Sequence, residues 1–503
     1  MTYEVELKLR IQPADVLRLR RHPAVEQASV DKPLTRKLTS IYFDTPQLAL
    51  LDAGLSLRVR HMDGGWFQAV KGAGTSLAGL HRRKEWEDII ASAEPDFSKI
   101  VAPELTKIFD DPVLRSALRP IFTTDVRRTE WHLTLEDDTL VEMALDQGEL
   151  IAGDTREPIC EIELELKHGR PASLFKLALA LQANIPLWIE NVSKAERGYV
   201  HYRPQTSGSI KATAAALNPS MHIMKAWDCI LQTCIGQLQG NHDLILQVSD
   251  PEGVHQMRVA LRRLRSALAM YQGWLPGEDE LLAELRWLAD VLGRVRDLDV
   301  FLLETLPPVL SQFAQHAGLQ QLRQKAQQTQ HKALQELCTA LQSQRYQRLL
   351  LDLGGRIECR TTPSPDSLPT LMEFAHATLQ KRYKALKQHG RELHTLAPDE
   401  RHAARIAAKK LRYTAEFFAS LYPEQASRPF LRQLAKLQDI LGTLNDINVT
   451  RSVFDQLVGA HPSYALAEAI SVIDGWNACQ GAHQLQLLQG AWDKVAETKP
   501  FWN

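Results

Sequence analysis

Cysteine is scarce in this chain, with six in 503 residues. Only Cys229 and Cys234 lie close together. Their spacing suits neither a zinc knuckle nor a redox Cys-x-x-Cys, so a disulfide scaffold and a thiolate metal site are set aside. Long apolar runs are missing, and nothing approaches the ~20 residues that a membrane span needs. The first residues are charged from Glu4 onward and hold no apolar signal core. A soluble, cytoplasmic protein without a membrane partner is expected. Charge of one sign is lacking too: 59 Lys and Arg stand against 60 Asp and Glu, a formal net charge of -1. That balance, with no basic run interleaved with aromatics, argues against DNA or RNA as a partner. Nor is there a phosphate loop of the nucleotide-binding kind. Gly72-Ala73-Gly74-Thr75-Ser76 lacks the Gly-Lys-Ser/Thr ending and leads into a strand, not a helix.

What is present divides into two parts. At roughly 100–200 residues per domain the length predicts two to four domains, and a hydrophobic fraction of 44% suffices for their cores. Residues 1–200 carry 26 Lys and Arg against 31 Asp and Glu, a net of -5, while the remainder nets +4. Alternation with period two over 3–11, 55–61, 66–71, 81–90, 122–135, 139–146 and 159–167 predicts strands, with helices near 13–21, 98–110 and 171–183. Such an order suggests one mostly antiparallel sheet or barrel. The texture changes at Arg203-Pro204-Gln205-Thr206-Ser207-Gly208-Ser209, a linker by composition. Beyond it the chain is Leu-, Ala- and Gln-rich with helical periodicity, and Pro and Gly at 276–277, 307–308, 354–355 and 363–369 separate the helical runs. The expected division is a strand-rich domain over 1–203, a linker over 204–217 and an all-α domain over 218–497.

The helical part repeats itself. His255, Arg258, Arg262 and Arg265 are spaced 3, 4 and 3, as are His402, Arg405, Lys409 and Arg412. Further on, Leu292-Gly293-Arg294-Val295-Arg296-Asp297-Leu298-Asp299-Val300 parallels Leu441-Gly442-Thr443-Leu444-Asn445-Asp446-Ile447-Asn448-Val449. The two matches come in the same order at offsets of 147 and 149, which predicts two similar helical bundles related by a pseudo-twofold.

In the strand-rich part, residues two apart share a face. Glu4, Glu6 and Lys8 therefore line one face of the first strand, with Val5, Leu7 and Leu9 on the other. Glu161, Glu163 and Glu165 repeat the pattern. Facing rows of carboxylates repel unless a cation lies between them, and oxygen ligands suit Mg²⁺ or Mn²⁺. Other strands present cations in the same way: Arg58 with Arg60, Arg83 with Glu85 and Glu87, and Lys71 and Arg128 singly, while Lys194 follows the last helix. Arg forks match phosphate oxygens and Lys adds point charge. A sheet with one wet face gives the same alternation, so spacing leaves two readings open: a solvated face, or a site for a polyanion and a metal.

These residues resemble those of the CYTH superfamily, the triphosphate tunnel metalloenzymes. Glu4-Val5-Glu6-Leu7-Lys8 resembles the ExExK signature of that family. Tyr42-Phe43-Asp44-Thr45 and Gly54-Leu55-Ser56-Leu57-Arg58-Val59-Arg60 are similar to its second block. Lys71, Arg83 with Glu85, Arg128 before Trp131, Asp146-Gln147-Gly148, the Glu161–Glu165 strand and Ser193-Lys194 come after them in order, so that the likeness spans about residues 1–202. The resemblance implies an eight-stranded antiparallel barrel enclosing a tunnel. It implies Glu4 and Glu6 as metal ligands, with partners among Glu161, Glu163 and Glu165. The pair Glu161 and Glu163 is the first choice there, and the choice stays open. It further implies Lys8, Arg58, Arg60, Lys71, Arg83, Arg128 and Lys194 as the phosphate grip, and Glu85 and Asp146 as groups that position cations or a basic neighbour. Arg127 should point away from Arg128 on a regular strand.

The helical part resembles a CHAD domain over about 218–495, on His255, His402 and their basic partners. Together the two resemble the bacterial CYTH–CHAD inorganic triphosphatases. The implied activity is Mg²⁺- or Mn²⁺-dependent hydrolysis of inorganic tripolyphosphate, with the helical part binding long-chain polyphosphate or another phosphorylated ligand. On that face, His255, Arg258, Arg262 and Arg265, and their counterparts His402, Arg405, Lys409 and Arg412, either hold an anion or form a solvated basic face paired to Asp297, Asp299 and Asp446. Metal binding there is disfavoured, since neither His-x-x-x-His nor Glu-x-x-His accompanies the clusters. The competing functions are a polyphosphate binder or sensor with a slow barrel, and a thiamine triphosphatase or adenylate cyclase activity on the same fold.

Overall fold

The computed structural model describes residues 2–203, 208–272, 277–360, 368–390, 393, 395–459 and 461–503. The expected linker residues 204–207 and the breaks expected at Pro276 and over 363–367 lie outside the described residues. Among the described residues no helix is long and apolar enough to cross a membrane.

Ten strands build the first part: β1 (Thr2–Ile11), β2 (Leu34–Asp44), β3 (Ser56–Met62), β4 (Gly65–Lys71), β5 (Thr75–Leu77), β6 (Leu80–Ile90), β7 (Arg119–Thr134), β8 (Leu140–Ala152), β9 (Thr155–His168) and β10 (Leu187–Ile189). Eight of them close into an antiparallel barrel in the order β1-β9-β8-β7-β2-β3-β4-β6 and back to β1. β1 makes the closure. Its first half pairs with β6, Glu4 opposite Arg83, and its second half with β9, Lys8 opposite Glu163. The short β5 and β10 lie outside this ring, on β6 and β1.

Besides the three-residue β5 and β10, which were not expected, two features differ from the expected strands. β2 was not among them, because its interior face carries the neutral Ser40 and Tyr42 while Ile41 and Phe43 stand opposite, so polar and apolar residues do not alternate. β8 and β9 run on past the expected ends to a two-residue turn at Gly153-Asp154. There Gly, Asp and Pro158 read as loop, yet the ladder continues through Glu149 opposite Pro158.

The barrel is apolar outside and charged inside. Leu7, Leu9, Leu57, Val59, Ile162 and Leu164 on the outward faces are fully buried under flanking segments. One such cover is the short helix Pro103–Phe109, whose Leu105 and Phe109 pack on Phe43, Leu57, Val59 and Val70. Helix α1 (Pro171–Gln182) is another, and α2 (Lys194–Tyr202) follows β10. One end of the interior is filled by Leu38, Tyr42, Phe122, Val126 and Ile159, with Tyr199 of α2 added. Tyr42 stacks on Phe122 at 4.5 Å and Tyr199 meets Phe122 edge-on at 5.4 Å. The remaining interior holds the charges.

The rest of the chain is helical: α3 (Ile223–Gly240), α4 (Pro251–Met270), α5 (Glu278–Val300), α6 (Ala317–Gln342), α7 (Gln344–Cys359), α8 (Leu371–Gly390), α9 (Pro398–Phe418), α10 (Glu424–Val458) and α11 (Tyr464–Glu497). The duplicated motifs fall on equivalent helices, with the basic clusters on α4 and α9 and the second blocks on α5 and α10. Pro251 and Pro398 open α4 and α9, at the first helical position where a missing N–H costs nothing. α4 packs on α3 and α5, α9 packs on α8 and α10, and the two repeats meet through α4 with α9 and α5 with α10.

Two compact units result. One comprises Met1–Ser207 with Gln342–Arg360, the other Gly208–Leu341 with Thr361–Asn503. Helix α7 thus belongs to the barrel unit, where it packs on α1 and β10. Gly354-Gly355, expected to separate helices, lie inside α7 instead. A Cβ on Gly354 would stand 2.4 Å from the Phe175 ring of α1, so glycine here permits close helix approach. Gly354→Leu is accordingly expected to lower the stability of the barrel unit by about 1–3 kcal/mol through overpacking, despite the better helix propensity of Leu. Urea unfolding followed by tryptophan fluorescence measures this, and an unchanged midpoint would remove the close-packing argument.

Candidate active site in the barrel

Register explains which carboxylates meet. On β9, Glu161 stands opposite Asp146 of β8, Glu163 opposite the small Ala144, and Glu165 opposite Glu142. Asp146, Glu161 and Glu163 consequently converge, each offering an oxygen within 4.8 Å of the others. Asp146 and Glu161 are each 1% exposed. Three cations hold this cluster together. The Lys194 ammonium lies 2.8 Å from Asp146 and 2.9 Å from Glu163, and also contacts Glu161. Arg128 grips Asp146 with both arms of its guanidinium at 2.7 Å and reaches Glu163. Lys8 lies 2.7 Å from Glu163 and 3.1 Å from Glu6. Burial alone would push the carboxyls up. The facing cations outweigh it, Arg128 then Lys194 at Asp146 and Lys194 then Lys8 at Glu163, and hold both well below the usual range. Burial would likewise lower Lys8 and Lys194, and the carboxylates hold both above the ordinary lysine value.

Across the interior the other acids are paired to bases. Glu4 meets Lys71 at 2.7 Å and Arg83 at 4.0 Å, and Glu6 meets Arg83 at 3.8 Å. Glu85 meets Lys71 at 3.3 Å and Arg58 at 3.4 Å. Glu165 turns toward Lys167 at 2.7 Å, away from the Asp146 cluster, and burial pushes its carboxyl up. Arg60 is different. It donates to Ser40 Oγ at 3.1 Å and makes no ion pair within 4 Å among the described residues. Burial, with Arg58 and Arg128 beside it, pushes its guanidinium down to about 10. Arg127 is exposed on the outer face while Arg128 points in.

Three residues that hold the site in shape were not singled out from the sequence. His81, 3% exposed, lies two residues before Arg83 on the same face; its Nδ1 accepts from the Arg83 guanidinium at 2.9 Å and its Nε2 donates to the Glu190 carbonyl at 3.0 Å. Burial, then Lys8, pushes its imidazole down to about 4, which keeps Nδ1 free to accept. Arg197, one turn beyond Lys194, binds Glu161 at 2.7 Å and Glu157 at 2.9 Å. Ser40 anchors Arg60. The period-two rule could have found His81. Arg197 carried no signal beyond its place on a helix after Lys194.

In the helical unit the two basic clusters converge. Arg258 and Arg262 of α4 act electrostatically on Arg405 and Lys409 of α9, and Asp297 and Asp446 face them from α5 and α10. None of these four basic residues makes an ion pair within 4 Å among the described residues, and the Nε atoms of Arg262 and Arg405 are buried without a hydrogen-bond partner. Gly293 leaves room for Arg258, whose Nη1 would lie 2.6 Å from a Cβ there. Burial, then Arg262 and Arg405, pushes the Lys409 ammonium down to about 7. His255 is lowered by burial and then by Arg296, while His402 contacts Asn445 Oδ1 at 3.0 Å. Arg412 is engaged by Glu416 at 2.7 Å and by Gln438. Arg265 makes no ion pair within 4 Å among the described residues. Asp299 accepts from Gln330 instead of from a basic cluster.

Comparison with known proteins matches the chain to two domain families. The CYTH domain model matches residues 2–199 and the CHAD domain model residues 229–455. Over 201 residues the chain is 32% identical to an inorganic triphosphatase of Haemophilus influenzae, covering 40% of this chain and 55% of that protein. Over 222 residues it is 32% identical to an uncharacterized protein of Mycobacterium tuberculosis, covering 42% of this chain and 41% of that protein. The chain thus spans about half the length of these curated relatives. The crystal structure of the CHAD domain from the plant Ricinus communis superposes with a TM-score of 0.52 at 30% identity, covering 57% of this chain and 97% of that one. The chain therefore carries a CYTH domain over residues 2–199 and a CHAD domain over residues 229–455.

Proposed function

We propose that the barrel hydrolyses inorganic tripolyphosphate to pyrophosphate and phosphate with Mg²⁺ or Mn²⁺ bound, and that the convergent basic cluster of the helical unit binds polyphosphate. The observation that carries the first reading is Arg60. A guanidinium without an ion pair within 4 Å among the described residues, set between Arg58 and Arg128 inside a closed barrel, is a place prepared for an anion. The donor set of Asp146, Glu161 and Glu163 is all oxygen and converges on one point, which fits a hard divalent cation. Glu4 and Glu6 line the adjoining wall.

The chain's own residues then divide the work. Arg58, Arg60, Arg83 and Lys71 neutralise the phosphate oxygens as negative charge shifts onto the transferred group and the pyrophosphate. Lys8, Arg128 and Lys194 fix the carboxylates, and a carboxylate of the wall orients the attacking water. The bound metal supplies Lewis-acid polarisation of a phosphoryl oxygen. An interior lined by cations suits a linear, highly charged substrate, and the aromatic rings at its apolar end, Tyr42, Phe122 and Tyr199, are packed on one another.

A substrate panel tests this reading. Tripolyphosphate is expected to turn over faster than ATP or thiamine triphosphate, and Glu6→Ala and Lys8→Ala to lower kcat/KM at least 100-fold. Turnover that survives both substitutions would sink the site assignment. Preference for thiamine triphosphate or ATP would move the substrate class, and no turnover at all, with polyphosphate still bound, would leave a binder or sensor.

Lys409 provides a pH test of the helical site. Its ammonium loses its proton near pH 7 in the free protein, and a bound polyanion favours the charged form. Affinity for long-chain polyphosphate should therefore fall as pH rises from 6 to 8.5, with proton uptake on binding near neutrality. Lys409→Met should flatten that slope, and Arg258→Ala with Arg405→Ala should weaken binding at least tenfold. Calorimetry on the full chain measures both, and equal binding by the double variant would reject the basic cluster as the site.

A further inference from the structure

Helix α7 lies within the stretch matched by the CHAD model, yet it packs in the barrel unit, against the one strand that leads into Lys194. β10 has three residues and a partner on one side only, where Ile189, Trp188 and Leu187 pair with Leu9, Arg10 and Ile11 of β1. The amides of Leu187 and Ile189 point the other way, where a barrel strand would normally answer them. Two side chains of α7 do so instead. Gln344 Oε1 accepts from Leu187 N at 3.0 Å, and Gln347 Oε1 accepts from Ile189 N at 3.0 Å. The Trp188 indole donates to the Gln342 carbonyl at 3.1 Å, and Gln182 of α1 holds the Gln344 carboxamide at 3.2 Å. Gln347 is 5% exposed, so its hydrogen bond is shielded from water.

Beyond β10 the chain runs directly into the site. Glu190 N donates to the Lys8 carbonyl at 2.9 Å, and the Glu190 carbonyl receives His81, which holds Arg83. Ser193 then caps α2 in a reciprocal capping box with Glu196, fixing Lys194 as the first helical residue. A three-residue edge strand with free amides would fray, and its slack would pass directly to Lys194 and Glu190.

From this arrangement we propose that α7 is a positioning element of the barrel site: Gln344 and Gln347 stand in for a neighbouring strand, hold β10 in register with β1, and so set where the Lys194 ammonium sits among Asp146, Glu161 and Glu163. The kinetic part of this inference rests on the triphosphatase reading; the positioning itself does not. Loosening β10 leaves Lys194 a weaker competitor for the three carboxylates, whose positions then become less fixed.

The test replaces both acceptors at nearly constant volume. In the full-length protein, Gln344→Met with Gln347→Met is expected to speed hydrogen–deuterium exchange of the Leu187 and Ile189 amides at least tenfold. Mn²⁺, titrated by calorimetry without substrate, is expected to bind at least threefold more tightly, and kcat for tripolyphosphate to fall threefold or more. Arg348→Ala, exposed on the same helix, should change none of these. If the double variant fails to fold by circular dichroism, Gln344→Met alone, which removes the acceptor for Leu187 N and for Gln182 but leaves Gln347 on Ile189, carries the same comparison. Unchanged exchange would overturn the proposal, and so would faster exchange with unaltered Mn²⁺ affinity, since α7 would then be packing and nothing more. A wild-type protein inert toward tripolyphosphate would sink the triphosphatase reading instead, and exchange with Mn²⁺ affinity would still decide this one.

Discussion

Opposed charges inside a closed sheet are the constraint on which the barrel depends. Asp146, Glu161 and Glu163 converge where an isolated carboxylate would cost several kcal/mol, about the penalty estimated for a buried ion after relaxation. Lys8, Arg128 and Lys194 make the cluster tolerable, and each serves more than one acid. Breaking such a pair by removing one partner generally costs about 3–5 kcal/mol, because the remaining charge stays buried. Apolar residues of similar volume in place of buried ion pairs are often neutral or stabilising. The polar interior therefore has to be explained by what it binds, and the fold compensates elsewhere, with apolar residues on the outer faces covered by α1, Pro103–Phe109 and α7.

The same logic orders the rest of the unit. A barrel with its apolar faces outward needs a cover on nearly every strand. The chain supplies most covers locally, as helices between strands. The face beside β10 and α1 is covered by a segment some 150 residues further on, where Gly354 lets α7 approach Phe175. Sharing a helix in this way makes the barrel unit discontinuous in sequence. It also ties the strand that delivers Lys194 to residues that a barrel ending near residue 203 would lack.

How much of this was legible in the sequence depends on which interactions are local. Alternation placed Glu4, Glu6, Lys8, Arg58, Arg60 and Glu161 correctly on a common face, because strand period alone decides that. It missed the three-residue β5 and β10, and β2, where Leu38, Ser40 and Tyr42 on the interior face are neutral and Arg36 alone is charged. It could not rank Glu161, Glu163 and Glu165, which share a face and differ only in depth along the strand. Depth is fixed by register: Asp146 opposite Glu161 and Ala144 opposite Glu163 draw those two together, while Glu142 opposite Glu165 leaves that carboxyl to Lys167. Helix α7 was read as interrupted because a Gly-Gly pair ordinarily breaks a helix. The reason for the pair, the Phe175 ring, sits far away in the chain.

The two charged sites solve one problem in opposite ways. Inside the barrel nearly every base among the described residues has its acid, and Arg60 does not. In the helical unit, Arg258, Arg262, Arg405 and Lys409 crowd together with Asp297 and Asp446 too far for direct ion pairs. Burial and the neighbouring arginines push the Lys409 ammonium down to about 7, so its proton loss relieves part of the repulsion there. A site of the first kind is rigid before its ligand arrives and needs little reorganisation, as chemistry at a phosphoryl group requires. A site of the second kind keeps its repulsion until an anion joins it, so the proposed binding of polyphosphate would take up a proton. The duplication made that repulsion possible: one basic helix in a single bundle would be a solvated face, and only the meeting of α4 with α9 concentrates the charge.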